Sequence, residues 1–117
     1  MAYVDGFIIA VPKDGLVDYE ALAQVAGEVW KEHGALAYVE ALADDVPYGE
    51  LTSFPRSVLA TEDEIVVFSW IVYPSRPARD AIWQKVTADP RMRETMEAPP
   101  FDTKRMIWGG FTPFVEL

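Results

Sequence analysis

The chain has no cysteine and a single histidine. Without cysteine there is no disulfide, no thiol nucleophile, and no cysteine-ligated zinc or iron–sulfur site. One histidine cannot build a multi-histidine site within one chain, so no metal site is expected. Basic residues are also scarce: ten Lys and Arg stand against nineteen Asp and Glu, a formal net charge of −9. A phosphate backbone would be repelled, and no basic stripe offsets the repulsion, so nucleic acid is not an expected partner. Long apolar runs are missing too. The longest falls well short of the roughly 20 residues that a membrane-spanning helix needs, so no membrane association is expected. The N-terminal MAYVDGFIIA has no basic n-region and no cleavage pattern, and does not read as a signal peptide. A cytoplasmic location is the expectation. At 117 residues the chain is predicted to form one domain over 1–117. That length buries about two thirds of the unfolded chain's surface, enough for a core without staples.

The apolar run that is present, EIVVFSWIVY at Glu64–Tyr73, organises the rest. Its β-branched and aromatic residues suit a pleated strand. Alternation puts Val66, Phe68, Trp70 and Val72 on one face, and Ile65, Val67, Ser69, Ile71 and Tyr73 on the other. Both faces are apolar, so both sides of its sheet need cover.

Tyr3 to Val11 is predicted as the first strand, ended by Pro12. A helix follows, capped by Asp14, or by Asp18 with Val17 stapled onto Leu22. Tyr19, Leu22, Ala23, Ala26, Val29, Trp30 and His33 form its apolar stripe, and Gly34 ends it at φ > 0. Ala35–Ala43 is read as a strand. Asp44–Asp63 is a long connection whose Thr52–Arg56 piece is expected to lie extended along the sheet or a partner. After the central strand, Ser75 caps a second helix carrying Ala78, Ile82 and Val86. Asp89-Pro90 ends that helix, and a short helical turn follows within Arg91–Glu97. Lys104–Val115 is predicted as the last strand. The order is β-α-β-β-α-β, the ferredoxin-like α+β plan, with a four-stranded antiparallel sheet and two helices on one face. A bare apolar second face calls for a second copy of the chain packed sheet to sheet, a dimeric α/β-barrel. A homodimer is therefore the expected assembly.

Several stretches together resemble a YbaA-like bacterial family of unknown function in the dimeric α/β-barrel superfamily. They are Tyr3–Phe7 (YVDGF), His33–Ala35 (HGA), Asp44–Pro47 (DDVP), Ser53–Arg56 (SFPR), Val67–Ile71 (VFSWI), Asp89–Met92 (DPRM) and Phe101–Phe111 (FDTKRMIWGGF). The resemblance implies the same fold and dimer. It carries no established activity, although superfamily relatives include cofactor-free monooxygenases, haem-degrading enzymes and small-molecule-binding proteins.

The residues offer a short list for chemistry. His33 is the chain's one imidazole; it reads as a catalytic or ligand-binding group, or as a helix C-terminal residue bonded to free carbonyls. Glu40 shares a strand face with Tyr38 and needs a buried partner, for which Arg105 and Arg56 are the candidates. Such a pair fixes register, or forms an acid and anchor in a cleft. Asp5 beside Gly6 reads as a ligand anchor or as an acceptor for a neighbouring loop. Trp70 and Trp108, with Trp30, Phe68 and Met106, are candidates for an apolar pocket wall. Ser69 lacks any GxSxG setting, so a hydrolase triad is not expected. The expected function is binding, with cofactor-free transformation as the further step, of a small, partly apolar molecule between helix and sheet. His33, Glu40 and Arg105 are the catalytic candidates; Asp5, Tyr38, Arg56, Trp70 and Trp108 are the ligand-binding ones. The alternatives are a non-catalytic accessory protein and a purely structural dimer.

Overall fold

The computed structural model describes residues 2–117. The order is β1 (Tyr3–Pro12), a 3₁₀ turn (Lys13–Gly15), α1 (Leu16–Glu32), β2 (Ala37–Leu42), α2 (Phe54–Ser57), β3 (Glu64–Tyr73), α3 (Arg76–Ala88), α4 (Pro90–Thr95) and β4 (Ile107–Phe111). The sheet runs β2-β3-β1-β4 with every neighbouring pair antiparallel. This is the ferredoxin-like α+β plan, with the short helices α2 and α4 added. No described helix is long and apolar enough to cross a membrane.

β3 pairs with β1 along its whole length, from Tyr3 opposite Tyr73 to Pro12 opposite Glu64. The register is fixed because a one-residue slip would turn every apolar side chain to the wrong face. On the helix side Ile9, Val11, Val67, Ile71 and Tyr73 are buried beneath Tyr19, Ala26 and Val29 of α1, Ile82 and Val86 of α3, and Met92 of α4. The other face carries Val4, Gly6 and Ile8 of β1, Phe68, Trp70 and Val72 of β3, Ala37, Val39 and Ala41 of β2, and Ile107, Gly109 and Phe111 of β4. No charged residue stands among them.

That second face is covered at one end. The connection between β2 and β3 does not lie extended at Phe54–Ser57. Ser53 caps α2 there, accepting from the Arg56 amide at 3.2 Å. The segment brings Val58 down onto Ala10 and Val66, and sets Phe54 edge-on to Phe68 with ring centroids 5.8 Å apart. Phe68 nevertheless stays 43% exposed.

Local signals hold elsewhere with small shifts. Ser75 caps α3 (Ala78 N–H to Oγ, 3.1 Å), Asp89 caps α4 (Arg91 N–H to Oδ1, 3.0 Å), and Gly34 takes φ +119° beyond α1. Neither Asp14 nor Asp18 caps α1. The 3₁₀ turn leads straight into the helix, and Val17 is exposed rather than stapled. Asp18 instead lies in the first turn, where its charge suits the helix dipole. β4 starts later than predicted because Asp102 folds the chain before it, its side chain accepting from the Lys104 amide and its carbonyl from the Arg105 amide, and the strand ends at Phe111, short of the predicted Val115.

Candidate functional site

A cleft of about 370 Å³ opens between the helices and the sheet. Its lining is almost wholly apolar: Phe7, Ile9 and Ile71 from the sheet, Leu22, Ala26 and Trp30 from α1, and Met92, Met96 and Met106 towards α4 and β4. Methionines adapt their shape to what they touch. The charged lining residues are Glu40 and Arg93.

Glu40 reaches the cleft from β2, opposite Ser69 of β3. The small serine leaves room above it. Glu40 Oε1 accepts from the Tyr19 hydroxyl, and Oε2 accepts from the Tyr38 hydroxyl at 2.5 Å. Each partner follows from local structure. Tyr38 stands two residues along the same strand, and so on the same face. Tyr19 lies in the α1 stripe and is 4% exposed. The Tyr38 ring fits because position 27 of α1 is glycine; a β-carbon there would come within 2.9 Å of the ring. Burial pushes both hydroxyls well above the ordinary tyrosine range, and the Glu40 charge beside them pushes the same way. The outcome is one carboxylate held by two donors that stay protonated, with lone pairs left over for a further donor.

A second polar cluster lies on the same side of the sheet. The Asp5 carboxylate is fully buried and accepts from Arg79 Nη2 (3.0 Å) and Nε (3.2 Å), Trp83 Nε1 (3.0 Å) and the Tyr73 hydroxyl (2.8 Å). The Tyr73 oxygen in turn accepts from Trp30 Nε1 and Trp83 Nε1, both at 3.1 Å. The Arg79 guanidinium lies 4.5 Å from the Trp83 ring centroid, and the Trp83 ring meets Trp108 at 4.9 Å. Among the described residues every buried side-chain polar atom has a partner, and this closed cluster already sets four donors on the Asp5 carboxylate.

Of the residues singled out from sequence, Tyr38, Glu40, Trp30, Ser69 and Met106 line the cleft, and Asp5, His33, Arg56, Phe68, Trp70, Arg105 and Trp108 do not. Glu40 pairs with two tyrosines, not with Arg105 or Arg56. Arg105 forks onto Glu64 (Nη2 to Oε2, 2.6 Å; Nη1 to Oε1, 2.8 Å), holding that carboxyl down at about 2. Arg56 stacks on the Tyr48 ring at 3.8 Å and donates to the Tyr48 and Gly49 carbonyls, clasping its own loop. His33 Nε2 meets Asp89 Oδ2 at 3.1 Å, which ties the end of α1 to the cap of α4. Asp5 serves the closed cluster. Trp70 lies on the open sheet face, packed on Phe68 at 5.7 Å. Trp108 stacks beside Phe7, a cleft residue, at 6.5 Å without lining the cleft itself.

Tyr19 and Arg79 were not among the candidates. Tyr19 reads as one more core residue of the α1 stripe; only its hydroxyl, opposite a strand glutamate, sets it apart. Arg79 stands three residues before Ile82 and seven before Val86, on the buried face of α3, and that spacing was the available signal.

Residues 2–103 match the family described as protein of unknown function (DUF1428). The chain is 53% identical over 116 residues to the uncharacterized protein YbaA of Escherichia coli strain K12, covering 99% of both. Among solved structures it is similar to Rv0793 from Mycobacterium tuberculosis (TM-score 0.62, 15% identity, 99% of this chain and 98% of that one). It is equally similar in fold to a mutant of SnoaB, a cofactor-independent oxygenase from Streptomyces nogalater (TM-score 0.62, 13% identity, 98% and 96%).

Proposed function

The chain belongs to the DUF1428 family of proteins of unknown function, and from that premise and the geometry above we propose that the cleft binds a small, largely apolar molecule through a hydroxyl or N–H group that donates to Glu40. The carrying observation is the Glu40 carboxylate in a largely apolar cleft, with Arg93 the other charged lining residue and one tyrosine on each carboxylate oxygen. Its remaining lone pairs accept, so an anionic head group is repelled there and a donor is selected. The same carboxylate can take the donor's proton as a general base. The electron pair of the broken O–H or N–H bond then stays on the ligand atom. No cofactor enters this step. SnoaB, of the same fold, is described as a cofactor-independent oxygenase, which supports looking to the chain's own groups; that likeness is one of fold, and Glu40 carries the proposal.

Comparing 1-naphthol with naphthalene tests this reading. We expect 1-naphthol to bind and to raise the melting temperature, with naphthalene weaker. Glu40→Gln should weaken 1-naphthol by about tenfold, the worth of one hydrogen bond to a charged group. Equal affinity of the wild type for the two compounds, or of wild type and Glu40→Gln for 1-naphthol, refutes the reading.

The open sheet face supports a second part of the proposal, that a second copy of the chain covers it. Its centre is uncharged, and Phe68, Ile107 and Phe111 are 43%, 43% and 63% exposed. An apolar face of this kind is unusual on a lone soluble subunit. The purely structural reading draws on the same face and leaves the Glu40 cluster without a use.

A further inference from the structure

Glu40 does not face the cleft alone. Two outer grooves run along the seam between α1 and the edge strand β2, and Glu40 lines both. One, of about 430 Å³, is shared with Tyr38, Gly27 and Lys31; the other, of about 310 Å³, with Tyr19, Glu20 and Leu42. Tyr38 therefore stands between the cleft and the first groove, Tyr19 between the cleft and the second, and Glu40 touches all three spaces. The seam is open because α1 presents Ala23 and Gly27 to it. Its outer wall is polar, with Glu20, Gln24, Glu28 and Lys31, in contrast to the apolar cleft.

We propose that the Tyr19–Glu40–Tyr38 cluster is a partition, with ligand on its cleft side and water on its seam side, so that Glu40 exchanges protons with solvent through the α1–β2 seam and not through the ligand entrance. This rests on the reading of the cleft given above and adds to it. A base that takes a proton from a ligand filling an apolar cleft needs somewhere else to release it. The ligand's O–H or N–H bond breaks, its electrons stay on the ligand, and Glu40 becomes a carboxylic acid. Seam water then takes the proton and restores the carboxylate. Tyr19 and Tyr38, already donating to Glu40, keep its two oxygens in place throughout. Around the seam the charged groups are Glu20, Glu28 and Lys31, and Lys31 Nζ is engaged with the Leu36 carbonyl at 2.9 Å.

Ala23 lines both outer grooves and not the cleft, whereas Ala26 lines the cleft and neither groove. That separation supplies the test. The full chain is treated with a water-soluble carbodiimide and glycinamide, and amide formation at Glu40 is read by peptide mass spectrometry, with exposed Glu97 as internal reference. Ala23→Leu should suppress coupling at Glu40 by about tenfold, since labelling must then wait for local opening. It should leave Glu97 coupling and 1-naphthol affinity unchanged. Ala26→Leu should weaken 1-naphthol and leave Glu40 coupling intact. Circular dichroism checks both folds, and Ala23→Val replaces the leucine variant if it fails to fold. Unchanged Glu40 coupling in the seam variant, or its loss in Ala26→Leu, overturns the proposal. If the wild type binds no 1-naphthol, the cleft reading falls, while the labelling contrast still decides whether water reaches Glu40 by the seam.

Discussion

The Tyr38 ring lies so close to Gly27 that a β-carbon on this helix position would sit 2.9 Å from Cδ1 and 3.2 Å from Cε1. Glycine inside a helix costs about 1 kcal/mol relative to alanine, so its presence in α1 needs a compensating contact, and the ring supplies it. Overpacking a fitted contact costs about 1–3 kcal/mol. Gly27→Ala should therefore destabilise the wild type by about 1 kcal/mol. In a Tyr38→Ala background the ring is gone, and the same substitution should stabilise by about 1 kcal/mol. Urea unfolding of the four proteins in the cycle gives both numbers, and no change of sign means that the ring does not set the identity of residue 27.

Asp5 holds a different kind of place. It is fully buried and accepts from Arg79, Trp83 and Tyr73 at once. Asp5→Ala leaves the Arg79 guanidinium with only half-exposed Asp80 as its ion-pair partner (Nη1 to Oδ1, 3.0 Å) and two further donors without an acceptor, and should cost about 3 kcal/mol. Adding Arg79→Met removes that charge, so the double variant should be more stable than Asp5→Ala alone. A double variant as unstable as the sum of the two single losses would mean that the two residues act independently.

These two cases show what was legible in the sequence. Period-two alternation in Glu64–Tyr73, helix-ending Gly34 and the Ser75 cap carry their own physics locally, and they gave the element order and hence the fold. Partner choice is not local. That Glu40 needs a buried partner follows from burying a carboxylate, but charge alone points to an arginine, and the actual partners are tyrosines. Arg105 could not be assigned to Glu64 until the β1–β3 register was known, because residues 41 positions apart meet only through the sheet. His33 was ambiguous for a similar reason: its neighbour Asp89 belongs to a helix cap that signals itself, while their meeting depends on how α4 folds back onto α1. The cleft was expected between helix and sheet and lies there; the seam behind it depends on how closely α1 and β2 approach, which no spacing encodes.

Tyr19, Tyr38 and Tyr73 should make the protein alkali-sensitive. Burial first, then the carboxylate each one bonds, raises all three hydroxyls above the ordinary 10.0. Folding thus favours the protonated form. The stability this contributes is fully present below pH 10 and is lost as pH rises above it, because the unfolded chain releases these protons first. Each such tyrosine adds a slope of about 1.4 kcal/mol per pH unit. Tyr19→Phe should flatten the fall of urea midpoint with pH above 10, with little effect on its slope near neutrality. Tyrosinate absorbance that appears well before unfolding, in numbers requiring these three, would contradict the burial argument.

Trp70 offers the test of the proposed second copy. It stands in the middle of the open face, between Val39 of β2 and Gly6 of β1, where a covering copy would bury it most deeply. In a lone subunit Trp70→Glu places a charge in water, at a cost limited to strand propensity and the Phe68 contact. In a sheet-to-sheet dimer it places two carboxylates, one per chain, out of water, a penalty of several kcal/mol per charge. The wild type should therefore sediment at twice the 13.1 kDa of one chain, and Trp70→Glu at 13.1 kDa with an unchanged far-ultraviolet spectrum. A shift of several kcal/mol weakens association by at least about a thousandfold, so the contrast should persist across the usable concentration range. A wild type that sediments as one chain leaves the apolar face without its occupant. A Trp70→Glu dimer places the contact elsewhere on the subunit.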